Sequence, residues 1–143
     1  MPAIKTEIQE AGEQKLELPV GKGEFILVAE DEVSICEITR STLEAYGYKV
    51  LTAENGAQAV ALYTQNEDKI KVVLMDMMMP VMDGQTSIRA IRKINPDVKI
   101  IAVSGLTGKD RLANVAHYTR AFLPKPFTTE RLLKTVHEVL SAK

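Results

Sequence analysis

The sequence predicts an α/β protein in which a parallel sheet is covered by helices on both of its faces. Between residues 25 and 140, short apolar runs alternate five times with stretches whose apolar residues recur at helical spacing. Some of these runs, such as residues 72–75, are apolar throughout, which is typical of parallel strands buried on both faces. Strands that are separated by helices pair in parallel, so we expect five parallel strands.

The composition is that of one globular domain. The chain has 143 residues, of which 45% are hydrophobic, and a net charge of −1 at pH 7. This charge gives no overall attraction to nucleic acid or to an anionic membrane, so we expect neither as a partner. The single cysteine, Cys36, allows no disulfide within the chain and suits a reducing compartment. No apolar run approaches the roughly 20 residues that span a bilayer, and no signal-peptide core is present, so we expect a cytoplasmic protein.

The N-terminal residues lack a sustained hydrophobic period and contain several prolines and glycines. We interpret residues 1–24 as a linker or tail, with a short helical piece over residues 4–11. The alternative is an added N-terminal element that packs on the domain. The folded domain is predicted over residues 25–142, where the strand and helix patterns are continuous.

The first strand and helix are predicted on either side of an acidic tip. The strand covers residues 25–29, and it ends in the tripeptide Glu30, Asp31 and Glu32. The helix covers residues 33–45, and its apolar residues include Ile35, Ile38 and Leu43. Gly47 is expected to end this helix, because a glycine commonly follows a helix in the left-handed conformation.

The next two strands differ in polarity. Residues 48–53 alternate between polar and apolar, so this second strand should lie near an edge of the sheet. An Asn-Gly turn then leads into a helix over residues 57–65. The third strand is apolar until it ends at Asp76, where the sheet meets solvent. Asp83 is a plausible N-cap for the following helix, which is completed by residues 87–94.

Two further strands and two helices complete the pattern. The strands are predicted over residues 98–103 and 120–123, and the second of them is short. A weaker helix is predicted between them over residues 109–118. The last helix covers residues 128–140 and is capped by Thr128 or Thr129.

Polar residues follow the predicted strands. They are Glu30 and Asp31 after the first strand, Asp76 after the third, Ser104 after the fourth and Lys125 after the fifth. The carboxyl ends of parallel strands meet at one edge, so these side chains should lie together. Carboxylates held together repel one another, and a hard divalent cation would stabilise them. Oxygen ligands without Cys or His favour Mg²⁺ over Zn²⁺, so a magnesium site is predicted at this edge.

The same residues suit the transfer of a phosphoryl group, because that reaction depends mostly on positioning and on neutralising charge. Lys125 would supply an ammonium and Ser104 a hydroxyl. A carboxylate is the expected nucleophile, since Asp can form an acyl phosphate. Asp76 is isolated on its own strand and is therefore the candidate acceptor.

Four stretches resemble the receiver domains of two-component response regulators. They are residues 26–32, residues 76–80 with 83–84, residues 103–105 and residues 125–127. Each stretch alone is a weak signal, but all four occur in order and each lies at a predicted strand end. The resemblance covers about residues 25–140. It implies a flavodoxin-like (βα)5 doubly wound fold, with five parallel strands in the order 2-1-3-4-5.

The resemblance implies an acceptor and a set of metal ligands. Asp76 would accept the phosphoryl group from the phosphohistidine of a histidine kinase. Glu30, Asp31 and Asp76 would hold Mg²⁺ or Mn²⁺, and the backbone carbonyl of Met78 would be a further ligand. Glu30 departs from the common pattern, in which the first acid is Asp, and its longer side chain would reach the metal through water.

The resemblance also implies residues that contact the phosphoryl group or respond to it. Lys125 would pair with the phosphoryl group, and Ser104 would hydrogen-bond one of its oxygens. Phe122 stands at the position of the family's switch aromatic and would turn inward when Ser104 moves. A cis peptide bond before Pro126 is common in the family. Self-phosphorylation and autodephosphorylation activity are implied as well.

The partners that the resemblance implies are a histidine kinase domain, in the same chain or in another, and a histidine phosphotransfer protein. Residues 16–24 resemble the linker that joins the ATP-binding domain of a hybrid histidine kinase to its C-terminal receiver. We therefore favour a receiver cut from a hybrid kinase over a stand-alone receiver. We expect no membrane contact by this segment.

Three other functions fit parts of the pattern. A haloacid-dehalogenase-like phosphatase also uses a strand-end Asp and Mg²⁺, but it needs a second Asp at the position of Met78. A flavin-binding flavodoxin-like module needs a phosphate-binding loop after the first strand, where the acidic tripeptide would repel a phosphate. A degenerate receiver that acts only as a protein-binding module is disfavoured by the intact Asp31, Asp76 and Lys125.

Overall fold

Five parallel strands form a sheet in the computed structural model, which describes residues 18–79, 81–105 and 116–142. The strands are β1 (Phe25–Ala29), β2 (Lys49–Ala53), β3 (Ile70–Asp76), β4 (Ile100–Ser104) and β5 (Ala121–Pro124). Their order in the sheet is β2-β1-β3-β4-β5, and every neighbouring pair is parallel. The predicted α/β class and the flavodoxin-like strand order are both confirmed.

Helices connect these strands across both faces. In the described ranges they are α1 (Val33–Ala45), α2 (Gly56–Gln65), α3 (Gly84–Ile94) and α4 (Thr129–Ser141). The helical piece predicted over residues 4–11 lies outside the described residues. The helix predicted over residues 109–118 lies largely outside them too, and its last residues, Ala116–Tyr118, form a short 3₁₀ helix. No helix in the described ranges combines the length and the apolar character needed to cross a bilayer.

Side-chain caps fix where three of the helices begin. Asn55, Asp83 and Thr128 each accept a hydrogen bond from a backbone N–H three residues further along, at 2.8, 2.9 and 3.0 Å. Such caps satisfy amide groups that have no partner within the helix. The predicted caps of α3 and α4 are thereby confirmed. Gly47 follows the end of α1 with a φ of 95°, as the sequence predicts.

Two apolar clusters lie on opposite faces of the sheet, because successive strand residues point to opposite sides. The cluster on one face joins β1 to α2 and α3, and it includes Leu27, Tyr63 and Ile91. The cluster on the other face joins β1 to α1 and α4, and it includes Ile26, Leu43 and Leu133. All six side chains are fully buried. The sheet is therefore held rigidly from both sides, which fixes the relative positions of its strand ends.

One apolar residue of α1, Ile38, faces away from the core and is 66% exposed. The buried residues of α1 are Cys36, Thr39 and Leu43, which are three and four residues apart and define one stripe. Ile38 lies outside that stripe and faces solvent. β2 lies at an edge of the sheet, in agreement with its alternating pattern.

The residues just before β1 lie against the domain. Leu18 is only 9% exposed and belongs to the same apolar cluster as Ile26. The division of the chain into a linker over residues 1–24 and a domain over residues 25–142 stays a prediction.

Candidate functional site

The sheet places the predicted polar residues at its carboxyl edge. Glu30 directly follows β1, Asp76 is the last residue of β3 and Ser104 is the last residue of β4. The Lys125 amide donates to the Ser104 carbonyl oxygen at 2.8 Å, which continues the pairing of β4 with β5 by one residue. Backbone hydrogen bonds therefore bring these residues to the same edge independently of their side chains.

The Lys125 ammonium is shared by carboxylates from two different strands. Its Nζ lies 2.8 Å from Glu30 Oε1 and 3.2 Å from Asp76 Oδ2, and Glu32 Oε1 is 3.6 Å away. The residues Glu30 and Asp76 are 5% and 2% exposed. Buried carboxylates are costly to keep ionised without a nearby positive charge. Lys125 supplies that charge and ties the β5 end of the site to the ends of β1 and β3.

Three carboxylates form a group of oxygen donors beside this lysine. Glu30, Asp31 and Asp76 each offer an oxygen atom, and these atoms all lie within 4.8 Å of one another. Asp76 Oδ1 also accepts a hydrogen bond from the Met78 amide at 3.0 Å, so the Met78 backbone lies beside the site. The donors are hard oxygens, as Mg²⁺ prefers. The negative charge of the three carboxylates exceeds the charge of the one ammonium that the described residues place there. This donor set fits a divalent cation.

Burial changes the protonation of this group. The pKa of Glu30 is raised from 4.5 to about 7, chiefly because burial disfavours its charged form, and the nearby charge of Asp76 adds to the rise. Hydrogen bonds from Lys125 and from the Glu32 amide oppose the rise only in part. Burial by itself would lower the pKa of Lys125, but the carboxylates of Glu30 and Asp76 more than compensate and raise it. Lys125 is therefore charged at neutral pH, whereas Glu30 titrates there.

Two further predicted residues take no part in the ion pairs described above. Ser104 is fully buried, and its hydroxyl donates to the Gly105 carbonyl oxygen at 3.3 Å. Phe122 lies on β5 and is 41% exposed. The peptide bond between Lys125 and Pro126 is cis, as the resemblance implies.

The structure thus brings together four of the predicted side chains: Glu30, Asp31, Asp76 and Lys125. Sequence reasoning missed one neighbour, Glu32, whose carboxylate also approaches Lys125. The only signal in the sequence was its place in the acidic tripeptide after β1. Its backbone amide donates to Glu30 Oε2 at 3.1 Å, so it also helps to hold Glu30 in place.

Five parallel strands in the order β2-β1-β3-β4-β5, with a cluster of polar residues at their carboxyl edge, place the protein in the flavodoxin-like class of α/β folds. The sequence model described as "Response regulator receiver domain" matches residues 26–137. The match covers most of the chain, and the chain therefore belongs to the response regulator receiver domains.

Individual relatives agree with this family. The chain is 36% identical over 116 residues to a sensor kinase, CckA, of Brucella abortus, and the match covers 80% of this chain. It is 30% identical over 118 residues to the chemotaxis protein CheY of Bacillus subtilis, covering 81% of this chain and 97% of that protein. A receiver domain structure from Clostridium thermocellum superposes with a TM-score of 0.78 at 30% identity, covering 82% of this chain and 94% of the other. A CheX–CheY complex with BeF3 and Mg²⁺ from Borrelia burgdorferi gives 0.77 at 25% identity, covering 83% and 90%.

The relatives differ greatly in length. The chain spans 12% of the Brucella sensor kinase and 48% of a probable transcriptional regulator, ycf27, of Guillardia theta, to which it is 33% identical. The shared part is the receiver domain, which in two-component systems interacts with histidine kinases or phosphotransfer proteins and binds Mg²⁺ at an acidic pocket. The chain has such an acidic cluster in Glu30, Asp31 and Asp76.

Proposed function

We propose that this receiver domain accepts a phosphoryl group on Asp76 from the phosphohistidine of a histidine kinase or phosphotransfer protein. The observation that carries the proposal is that Glu30 and Asp76, from two strands, share the Lys125 ammonium at 2.8 and 3.2 Å. A phosphoryl group in transfer carries negative charge, and its approach to a carboxylate needs a positive charge at hand. Lys125 supplies that charge from its place beside Asp76.

Glu30, Asp31 and Asp76 would hold a Mg²⁺ or Mn²⁺ ion, with the backbone carbonyl of Met78 as a further ligand. When bound, the ion would neutralise charge on the phosphoryl oxygens. The mutual approach of the three carboxylates supports this assignment. So does the similarity to CheY in the solved CheX–CheY complex that contains BeF3 and Mg²⁺.

In the proposed transfer, a carboxylate oxygen of Asp76 attacks the phosphorus atom while the bond from phosphorus to the donor's imidazole nitrogen breaks. The electron pair of that bond returns to the imidazole, and an acyl phosphate forms on Asp76. Lys125 moves its ammonium by a short distance, from Asp76 Oδ2 to a phosphoryl oxygen. Glu30 keeps the lysine in position during this exchange, because its own bond to Nζ is separate from Asp76.

The signal would pass from Asp76 to the surface through Ser104 and Phe122. In the proposed switch, the Ser104 hydroxyl leaves the Gly105 carbonyl oxygen and donates to the phosphoryl group. Its 3.3 Å bond is long for a hydroxyl donor, so little is lost in the exchange. The movement makes room for Phe122, which is 41% exposed, to turn inward.

The prediction that the segment is the C-terminal receiver of a hybrid histidine kinase is retained as part of the proposal. The chain matches 12% of the length of a sensor kinase. This similarity supports a receiver within a longer kinase. In that arrangement the phosphodonor would lie in the same protein. A histidine phosphotransfer protein would take part in the next transfer step.

The proposal is tested by labelling with radioactive acetyl phosphate, with and without Mg²⁺. We expect the wild-type protein to be labelled only when Mg²⁺ is present, and the label to be released by hydroxylamine, as acyl phosphates are. Asp76→Asn should lose the label. If Asp76→Asn were labelled as strongly as the wild type, Asp76 would be excluded as the acceptor. If the wild type were labelled as strongly in the presence of a chelator as with Mg²⁺, a requirement for the metal would be excluded.

The matched control is Asp83→Asn. It removes a second carboxylate from the segment between β3 and α3, and Asn is as good a helix cap as Asp. Asp83→Asn should therefore keep the label of the wild type. Loss of label in both variants would point to a general disturbance of this segment instead of a specific acceptor.

A further inference from the structure

The segment that precedes the sheet is attached to the domain at several points. We call residues 18–24 the strap. At its start, Leu18 is 9% exposed and belongs to the apolar cluster shared by β1, α1 and α4. At its end, the Glu24 carbonyl oxygen accepts a hydrogen bond from the amide of Lys49, the first residue of β2, at 2.9 Å.

Backbone hydrogen bonds tie the middle of the strap to the turn between α1 and β2. The Gly21 amide donates to the Tyr46 carbonyl oxygen at 2.6 Å, and the Gly23 amide donates to the Gly47 carbonyl oxygen at 2.7 Å. These bonds satisfy carbonyl groups at the C-terminal end of α1, where the helix itself offers no donors. The strap therefore completes the end of a helix and does not merely lie on it.

Close approach of the two segments depends on glycine. A Cβ atom added to Gly21 would lie 2.5 Å from Cδ1 of Tyr48, and one added to Gly47 would lie 2.5 Å from the Gly21 carbonyl oxygen. Tyr48 is itself only 4% exposed, so its ring lies between the strap and the core. Without the strap, the ring of Tyr48 and part of the apolar cluster would be open to water.

We propose that the turn between α1 and β2 is a docking surface for the chain's own residues 18–24, and that the domain begins at Leu18. The match to the family's sequence model begins at residue 26, after the strap. Because the strap is tied at both ends, it holds a fixed place at the amino edge of the sheet, opposite the acidic site.

The surface chemistry of the strap agrees with docking on one side. Val20 is 63% exposed, whereas Leu18 is buried two residues earlier. A flexible linker would bury neither residue and would leave the amides of Gly21 and Gly23 to water.

The test uses the full chain and compares Leu18→Ala with Val20→Ala. We expect Leu18→Ala to lower the melting temperature by roughly 5 to 10 °C, because it removes a buried side chain from the cluster. Val20→Ala, from the same segment, should change it by about 1 °C or less, because surface substitutions have small effects. Equal melting temperatures for the two variants would overturn the proposal.

Amide hydrogen exchange provides a measurement that does not depend on any variant. The Gly21 and Gly23 amides should exchange on the order of 100-fold or more slowly than unprotected amides of the same sequence type. Leu18→Ala should remove this protection at temperatures where the sheet stays folded, and Val20→Ala should preserve it. Exchange of Gly21 and Gly23 at the unprotected rate in the wild type would contradict docking.

The outcome is separable from the proposed function. Labelling with acetyl phosphate should be the same in Leu18→Ala and in the wild type at a temperature well below melting, because the strap and Asp76 lie at opposite edges of the sheet. Loss of label in this variant would show that the strap acts on the site and would contradict a purely docking role.

Discussion

Glu30 is the residue at which pH acts most directly on this site. Its pKa is about 7 in the folded protein and 4.5 as a free side chain. Between pH 4.5 and about pH 7, Glu30 has lost its proton in the unfolded chain but still holds it in the folded protein. The contribution of Glu30 to stability is therefore fully present below pH 4.5 and is lost as the pH rises toward 7.

A Glu30→Gln variant tests this, because Gln resembles the protonated carboxyl group. In a chelator at pH 8 we expect the variant to be more stable than the wild type, by up to about 3 kcal/mol. At pH 5 the two proteins should differ little. Urea unfolding at both pH values measures the difference. Glu32→Gln is the control, since Glu32 is 62% exposed, and it should leave the pH dependence nearly unchanged. If Glu30→Gln increased the free energy of unfolding equally at both pH values, the raised pKa of Glu30 would be contradicted.

Lys125 is expected to matter for stability as well as for chemistry. Lys125→Met would leave the carboxylates of Glu30 and Asp76 buried without their ammonium. We expect it to lose roughly 3 kcal/mol in a chelator at pH 8, since breaking a buried pair leaves an uncompensated charge. Lys134→Met removes an exposed lysine paired with Glu130 and should cost about 0.5 kcal/mol or less. Equal losses in urea unfolding would mean that the ion pairs at Lys125 contribute no more to stability than an exposed pair.

At the scale of single residues, the sequence predicts which residues lie close together but not which partner each side chain contacts. Strand ends in a parallel sheet must converge, so Asp76 and Lys125 could be placed together from the pattern alone. The approach of Glu32 to Lys125, and the bond of Ser104 to Gly105, depend on rotamers that only the folded surroundings select.

Among the elements, the segment between β3 and α3 carries local backbone strain. Val81 has a φ of 71°, in the left-handed region that a β-branched residue rarely adopts. Its side chain is 80% exposed, so little packing compensates for the strain. The strained residue lies a few positions after Asp76, in the part of the chain that joins the site to α3.

Replacing Val81 by Asn should stabilise the protein by about 1 kcal/mol, because Asn tolerates the left-handed region. Thermal unfolding measures the change. Val33→Asn is the matched control, since Val33 is 72% exposed but lies in α1 with helical dihedrals. That substitution should bring no gain. If both variants shift the melting temperature alike, strain at Val81 is not the cause.

The elements themselves were largely predictable because strand and helix periods differ clearly in this chain. The starts of α3 and α4 were predictable because helix capping by Asp83 and Thr128 depends only on nearby residues. The buried stripe of α1 could not be read from spacing alone, because Ile35 and Ile38 also fit a helical stripe and only packing against the sheet selects Cys36 and Thr39. The strap could not be found by period, because its contacts rest on a single leucine and on glycine backbone.

For the molecule as a whole, Mg²⁺ should act as a stabilising ligand of the folded state. The three carboxylates come from the ends of two strands and meet only when the sheet is formed. At a Mg²⁺ concentration about 100 times its dissociation constant, we expect a gain of roughly 2.7 kcal/mol in the free energy of unfolding. Unfolding with and without Mg²⁺ at pH 8 measures it. Asp31→Asn should lose most of this gain, and Asp97→Asn, an exposed control outside the group, should keep it. A gain that survives Asp31→Asn would place the ion elsewhere.

The assembly of one reactive site from distant strand ends is the central claim, and mapping of the phosphorylated residue tests it most directly. The protein is treated with acetyl phosphate and Mg²⁺, the acyl phosphate is reduced with borohydride to homoserine, and the peptides are sequenced by mass spectrometry. We predict homoserine at position 76 and a strong decrease in its amount when Lys125 is replaced by Met. Homoserine at another aspartate, or none under conditions in which the protein binds Mg²⁺, would contradict the assignment.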